Sequence, residues 1–397
     1  KDPFIFELVD VLAAEMGGFF PEIVSNKDLV KRVIREEEES FLRTLDKGIQ
    51  LLDDHLSKGA EVLDGKTVFE LYDTFGFPFD LTSLIASEKG VGVDAAGFEE
   101  ELAKQKERSR SATKLETDNW VELEAGDPAF VGYDSLECET KILKYRKIKA
   151  KGKESFQLVL SNTPFYAEGG GQVGDTGLIT SGTNQYQVID TTFALPGLRR
   201  HHCRVVSGSL TVNQTVSANI DSQRRLAIRR HHTATHILHW SLRQVLGEHV
   251  KQAGSLVDDE RLRFDFSHYD AVTDDELLRI EELANSLTLS NEVVDSSESS
   301  KDEALEKGAI AFFGDKYGDR VRVLSAGPSV ELCGGTHVSA TGDIGIIKVI
   351  SEGSVGANLR RIEAVAGTRT LSLLQHDRRV ITDVARLVGA GPDELMS

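Results

Sequence analysis

The sequence predicts a multidomain α+β chain. It divides into a helical domain over residues 1–110, a small β-barrel over 111–220, a mixed α/β domain over 221–368 and the start of a further helix over 369–397. Three observations carry this. Apolar residues recur near the helical period through VSNKDLVKRVIREEEESFLRTLDKGIQLLDDHLSKG. From Trp120 to about Asn219 the texture changes to short β-type runs broken by glycine and turn residues. In the third region, two pairs of potential metal ligands stand about a hundred residues apart.

Taken in order, the long helix presents Leu29, Val30, Val33, Ile34, Phe41, Leu45, Ile49 and Leu52, with Ser25 or Asn26 as its cap and Gly59 as its stop. Its acidic run, Glu36 to Glu39, reads as the solvated face. GKTVFELYDTFGFPFDLTSLIASEKGV follows as short helices joined by the turn Gly76-Phe77-Pro78, with Phe69, Tyr72, Phe75, Phe77 and Phe79 as core. FEEELAKQKERSRSATKLE is a charged helix that frays into a linker near Ser109 to Lys114. The barrel strands are KILKYRKIKAK, SFQLVLSN, NQYQVIDTTF, CRVVSG and QTVSANI. Among them lies TPFYAEGGGQVGDTG, which by glycine count alone is a flexible hairpin; in a binding reading its three consecutive glycines expose backbone N–H groups and admit a close ligand. No Gly-Lys-Ser/Thr follows, so this is not a Walker loop. The third region supplies a helix, RRHHTATHILHWSLRQVLG, then the strand pair GSLVDDERLRFDFSHY and the acidic helix TDDELLRIEELANSL. A helix in SKDEALEKGAIAFFG comes next, followed by the strands VRVLSA, IGIIKVISEG and RRIEAVAG. From 369 a helical pattern restarts with Leu371, Leu373, Leu374, Val380, Ile381, Val384 and Leu387.

At 397 residues, 40% apolar and 28% charged, the composition is that of an ordinary globular protein of two or three domains. No run of about 18 apolar residues exists, which excludes a membrane-spanning helix. KDPFIFELVD has no basic stretch before an apolar core and so is no secretory signal; it lacks an initiator Met, and a fragment is expected. Three cysteines, Cys138, Cys203 and Cys333, make no disulfide framework and suit a reducing cytoplasm. The net charge of −18 argues against nucleic acid as a whole-surface partner. Yet base is clustered at Lys141 to Lys153, Arg199-Arg200, Arg224, Arg225, Arg229, Arg230 and Arg360-Arg361, and such a local lip can hold phosphates. The plainer alternative is that each pair balances nearby acids.

The ligand pairs are His232-Thr-Ala-Thr-His236 and Cys333-Gly-Gly-Thr-His337. On a helix, positions i and i+4 put His232 and His236 on one face. In the second motif the glycines let the chain fold back, bringing Cys333 and His337 together. Three imidazoles and one thiolate suit zinc in a tetrahedron, so a single zinc site closed by the fold is expected. His231 points about 100° from His232 on a helix and shares the His236 face poorly. His239, and the cluster His201-His202-Cys203, are decoys; His201 and His202 point to opposite faces of a strand. The gap between the helical histidines holds Thr233, Ala234 and Thr235 where a metalloprotease has its glutamate, which excludes protease chemistry.

These strings together resemble the alanyl-tRNA synthetases. TPFYAEGGGQVGDTG, the RRxHxATH helix start, QAGSLVDDERLRFDFSH, SVELCGGTH and RRIEAVAG stand in the order of that family's editing region. IREEEESFLRTLDKGI and ELYDTFGFPFDLT resemble its helical tRNA-recognition part. The resemblance covers residues 1 to 367, and residues 369 to 397 look like the start of its oligomerisation helix, implying a homo-oligomer. It implies zinc on His232, His236, Cys333 and His337, although the family often has a small amide at the position of His231. It implies tRNA(Ala) as partner and hydrolysis of mischarged Ser-tRNA(Ala) and Gly-tRNA(Ala), with Gln172 and the amides of Gly169, Gly170 and Gly171 as catalytic candidates. Thr163 and Thr176 are candidates for reading a serine hydroxyl. Arg229, Arg230, Arg360 and Arg361 are candidates for substrate phosphates. ATP and Mg2+ would belong to an aminoacylation domain preceding Lys1. The competing readings are a free-standing trans-editing protein, which residues 1–110 disfavour, and a non-catalytic zinc-stabilised RNA-binding module. Threonyl-tRNA synthetases share a related domain but differ from CGGTH and lack the N-terminal match.

Overall fold

A computed structural model describes residues 2–56, 61–73, 76–111, 116–150, 153–212, 214–306, 308–311, 320–356, 358–392 and 395. Two compact units divide the chain, Lys1–Leu115 and Glu116–Ser397, so the barrel and the α/β layers belong to one unit.

The first unit is helical: α1 (Leu8–Met16), α2 (Pro21–Ser25), α3 (Lys27–Leu56), α4 (Gly65–Asp73), α5 (Phe79–Glu88) and α6 (Ala95–Ser111). Pro21 starts a short helix ahead of α3. Asn26 therefore does not cap with its side chain, whose amide donates back to Glu22 O at 2.9 Å. Gly59, Phe75 and residues 112–114 of the expected linker lie outside the described residues. Leu52 of α3, Val68 and Leu71 of α4, Phe77 and Phe98 form the core. Phe79 stacks on Phe98 at 4.7 Å, whereas Tyr72 keeps 43% of its surface exposed. One residue of the acidic run is more than solvated surface: Glu38 accepts the N–H groups of Phe4, Ile5 and Phe6 at 2.9–3.0 Å, satisfying donors that have no partner inside a helical turn.

The second unit begins with a closed barrel of six strands: β1 (Glu137–Ala150), β2 (Lys153–Leu160), β3 (Gly177–Ser181), β4 (Asn184–Leu195), β5 (Leu198–Ser207) and β6 (Thr215–Ile220). Every neighbouring pair is antiparallel in the order β6-β3-β4-β5-β2-β1, and β1 pairs with β6 to close the ring. Closure removes the exposed edges that such short strands would otherwise present. Alternate residues fill the interior, among them Phe156, Leu158, Ile179, Tyr186, Val188 and Val216. Strand β3 escaped the sequence reading because Gly177-Leu-Ile-Thr-Ser offers little alternation.

Asp221 then caps α7 (Ser222–Leu246), its carboxylate accepting the Arg224 N–H. The face of α7 bearing Ala234, Ile237, Leu238 and Leu242 packs against a four-stranded antiparallel sheet. That sheet comprises β7 (Gln252–Val257) and β8 (Leu262–Ser267), with β12 (Ile347–Gly356) and β13 (Leu359–Ala366) further along the chain, in the order β7-β8-β13-β12. Helix α8 (Asp274–Leu289) opens with a reciprocal capping box between Thr273 and Glu276. A smaller antiparallel sheet joins β9 (Val294–Ser300), β10 (Arg320–Ala326) and β11 (Ser329–Leu332), and α9 (Lys301–Glu306) follows β9. Helix α10 (Thr368–Val388) exposes Leu371, Leu374, Val380, Ile381, Val384 and Leu387. Among the described residues no helix is long and apolar enough to cross a membrane.

Candidate metal centre

Helix α7 and the turn after β11 meet. His232, His236, Cys333 and His337 offer ligand atoms that all lie within 4.8 Å of one another. The i, i+4 spacing stacks the His232 and His236 rings, with centroids 5.4 Å apart and planes 8° from parallel. From the turn, Cys333 Sγ lies 3.4 Å from His232 Nε2 and 3.2 Å from His337 Nε2. Gly335 makes this approach possible, since a Cβ there would sit 2.0 Å from the His232 ring. The neighbouring His231 turns away, its Nδ1 lying 2.8 Å from Asp258 O.

Each imidazole is held through its far nitrogen. His232 Nδ1 meets Gln172 Oε1 at 2.7 Å. His236 Nδ1 meets a Glu331 carboxylate oxygen, and the other oxygen lies 2.8 Å from His239 Nδ1. His337 Nδ1 meets Thr233 Oγ1 at 3.2 Å; that hydroxyl donates to Arg229 O, so it accepts from the ring. Engaging Nδ1 as a donor turns the lone pair of Nε2 toward the shared space, which is how metal-binding histidines are oriented. His236 Nε2 is buried there with no hydrogen-bond partner.

The electrostatics favour a cation. Burial alone would push the Cys333 thiol up, but the surrounding His232, His337 and His236 hold it well below its usual value, which favours the thiolate form. Burial likewise opposes charge on Glu331, yet His236 and His239 hold its carboxyl at about 2. For His236 burial again acts downward, and the charges of Glu331 and Cys333 outweigh it, raising the imidazole to about 10. Two anions packed among three imidazoles form a field that a divalent cation satisfies as well as a proton does. The donor set therefore fits one metal ion.

Beside the four ligands lies a cavity of about 380 Å³. It is lined by His232, Thr235, His236 and Cys333 and by Tyr133, Tyr166, Phe193 and Arg199. Gly169 and Gly170 line it, as do Gln252 and Ser255 of β7. The triple-glycine turn is stitched to β7, with Val257 N–H donating to Gly171 O at 2.7 Å and Val173 N–H to Val257 O at 3.1 Å. Gly171 has φ +84°, and a Cβ on it would meet Ser255 Oγ at 2.1 Å, so no other residue fits.

The other sequence-derived candidates lie elsewhere. Gln172 is fully buried under the turn: its Oε1 also accepts the Thr336 N–H at 2.9 Å, and it does not line the cavity. Thr163 is buried in the barrel, its Oγ1 2.7 Å from His201 Nε2. Thr176 accepts the Asp221 N–H through its carbonyl at 2.8 Å. Arg229 donates to Tyr133 O at 3.0 Å, and Arg230 to Asp343 O at 2.9 Å. Arg360 forks onto Glu352 and Arg361 onto Asp265, so this basic pair is neutralised in place. His202, in the decoy cluster, bonds Gln157 and Thr192. Sequence reasoning missed Glu331, Thr233 and Tyr133, and had Arg199 only as half of a basic pair able to hold phosphates. Only Glu331 left a signal: two residues before Cys333 on an extended segment, it shares that residue's side of the chain.

The family model described as tRNA synthetases class II (A) matches residues 1–224. The one described as the threonyl and alanyl tRNA synthetase second additional domain matches residues 321–363. The chain is 46% identical to an alanine–tRNA ligase of Bacteroides fragilis over 398 residues, covering 99% of this chain and 45% of that protein. It is 46% identical to the enzyme of Porphyromonas gingivalis, covering 100% of this chain and 46% of that protein. For Bordetella bronchiseptica the identity is 44%, with 99% and 46% covered. The chain thus spans about half the length of the curated relatives it matches.

Proposed function

The chain belongs to the alanyl-tRNA synthetase family, and from that premise we propose that it recognises tRNA(Ala) and hydrolyses the aminoacyl ester of Ser-tRNA(Ala) and Gly-tRNA(Ala). The carrying observation is the meeting of a four-ligand cluster and a glycine turn at one cavity. A pocket sized for alanine admits glycine and discriminates weakly against one added hydroxyl; a methylene is worth roughly 1–3 kcal/mol, so a second site is needed. Full-length relatives carry the name alanine–tRNA ligase; ligation of alanine with ATP and Mg2+ is proposed for a whole protein of that kind. A cytoplasmic location beside the translation machinery, and self-association through the exposed apolar side chains of α10, go with the same reading.

His232, His236, Cys333 and His337 would hold the metal, and zinc suits a donor set of nitrogen and sulfur. Bound there, the ion supplies a Lewis acid and organises the pocket floor. The chain's own groups do the rest. Within the turn the Gly169 and Gln172 amides are spent on each other's carbonyls at 3.1 Å. The amide of Gly170, which lines the cavity, is therefore the donor for a developing oxyanion. Gln172 acts as a positioning residue by fixing His232. The Thr235 and Ser255 hydroxyls, on the cavity wall, are placed to read the hydroxyl of a seryl group, which an alanyl group would leave unpaired. With Cys333 committed to the metal, water is the attacking group, and positioning of an already activated ester contributes much of the rate.

The test is deacylation of purified Ser-tRNA(Ala), Gly-tRNA(Ala) and Ala-tRNA(Ala), with metal content measured in the same sample. Hydrolysis of the first two, sparing of the third and loss of activity in Cys333→Ala are expected. Tight binding without turnover would replace the enzyme with an RNA-binding module.

A further inference from the structure

We propose that Arg199 is the subsite for the phosphate of the terminal nucleotide, holding the aminoacyl end in the cavity beside the four ligands. This rests on the deacylase reading and extends it to a residue that neither motif contains.

The guanidinium of Arg199 is built into the wall. It lies over the ring of Phe130 at 4.2 Å and over that of Phe193 at 5.3 Å. Burial pulls its pKa below the ordinary arginine value, with Tyr133 and Tyr166 opposing. Its Nε is buried with no hydrogen-bond partner, and among the described residues no carboxylate lies within 4 Å. Arg360 and Arg361 differ on this point, since each is forked onto an acid. A half-desolvated cation without a counter-ion is costly unless a ligand anion completes it. The neighbouring aromatic rings fix its plane, leaving the fork pre-organised for two acceptor oxygens.

The chemistry of the substrate selects the anion. In an aminoacyl ester the amino acid has no carboxylate, and neither the nucleobase nor the ribose is charged. The nearest negative charge is the phosphate on the 5′ side of the terminal nucleoside. The cavity, about 380 Å³, suits a nucleoside-sized group with its acyl chain. Gly169, Gly170 and Arg199 line that same cavity, so the ester and the phosphate of one bound group would share it.

A hydrolysis-resistant probe separates this from the deacylase reading. Seryl-amidoadenosine, with or without a 5′-phosphate methyl ester, is titrated against the metal-loaded chain. The phosphate is expected to tighten binding roughly ten- to hundred-fold in the wild type. Arg199→Gln should lose that gain, Arg199→Lys should keep part of it, and Arg204→Gln, an exposed charge on the same strand, should keep all of it. With mischarged tRNA, Arg199→Gln should raise KM far more than it lowers kcat. Equal affinity of the wild type for both probes overturns the proposal. So does equal weakening of both probes by Arg199→Gln, which would mean stacking on the base. A phosphate preference in a protein that hydrolyses no mischarged tRNA would keep the subsite and end the deacylase reading.

Discussion

Gln172 Oε1 lies 2.7 Å from Nδ1 of His232, a contact spanning sixty residues of sequence that joins the glycine turn to the first ligand of the cluster. The same oxygen takes the Thr336 N–H from between Cys333 and His337. One buried amide thus ties together both halves of the four-residue cluster, and the role proposed for Gln172 is to position His232. Gln172→Ala should weaken metal affinity roughly ten- to hundred-fold in chelator competition. Unchanged affinity with slowed hydrolysis would return Gln172 to direct contact with the ester.

Glu331 ties His236 to His239 with its two carboxylate oxygens. Glu331→Gln substitutes an amide that accepts from one ring but turns a donor toward the other. A loss of about 1–3 kcal/mol in folding stability is expected for the buried mismatch, together with weaker metal retention. Urea unfolding of the metal-free and loaded forms measures both; a variant as stable as wild type in each would contradict the bridging role.

Arg225 and Asp175 form an ion pair with each partner 1% exposed, and the guanidinium also donates to Gly132 O and Pro164 O. This pair anchors the first turns of α7 to the segment after the glycine turn. Arg225→Met strands a buried carboxylate and should cost about 3–5 kcal/mol in unfolding free energy. Adding Asp175→Leu should recover part of the loss, and no recovery would show that the carbonyl contacts dominate.

His201 is wholly buried in the barrel, and burial lowers its pKa from 6.5 to about 4 while Leu158 O and nearby positive charges act in smaller measure. The unfolded chain therefore takes up a proton that the folded one refuses between those two values. Stability is full above pH 6.5 and falls as the pH drops toward 4, by roughly 3 kcal/mol at most. His201→Gln should flatten that part of the melting-temperature profile. Parallel profiles for the two proteins would remove His201 from the acid response.

Residue spacing and side-chain type alone reveal the periodic elements and the donor chemistry. Helical spacing put His232 and His236 on one face, alternation marked most of the barrel strands, and the types of four residues called for a soft, nitrogen- and sulfur-bound cation. These are short-range properties, set by 3.6- and 2-residue repeats and by side-chain chemistry. Which polar groups face the cavity is set by long-range packing. Whether Gln172 meets substrate or His232, whether Arg199 or Arg361 keeps its charge unanswered, and that Thr163 is spent on His201 depend on partners tens to hundreds of residues away. A buried polar group must find its hydrogen bonds wherever the fold brings a neighbour, and no local pattern records where that is.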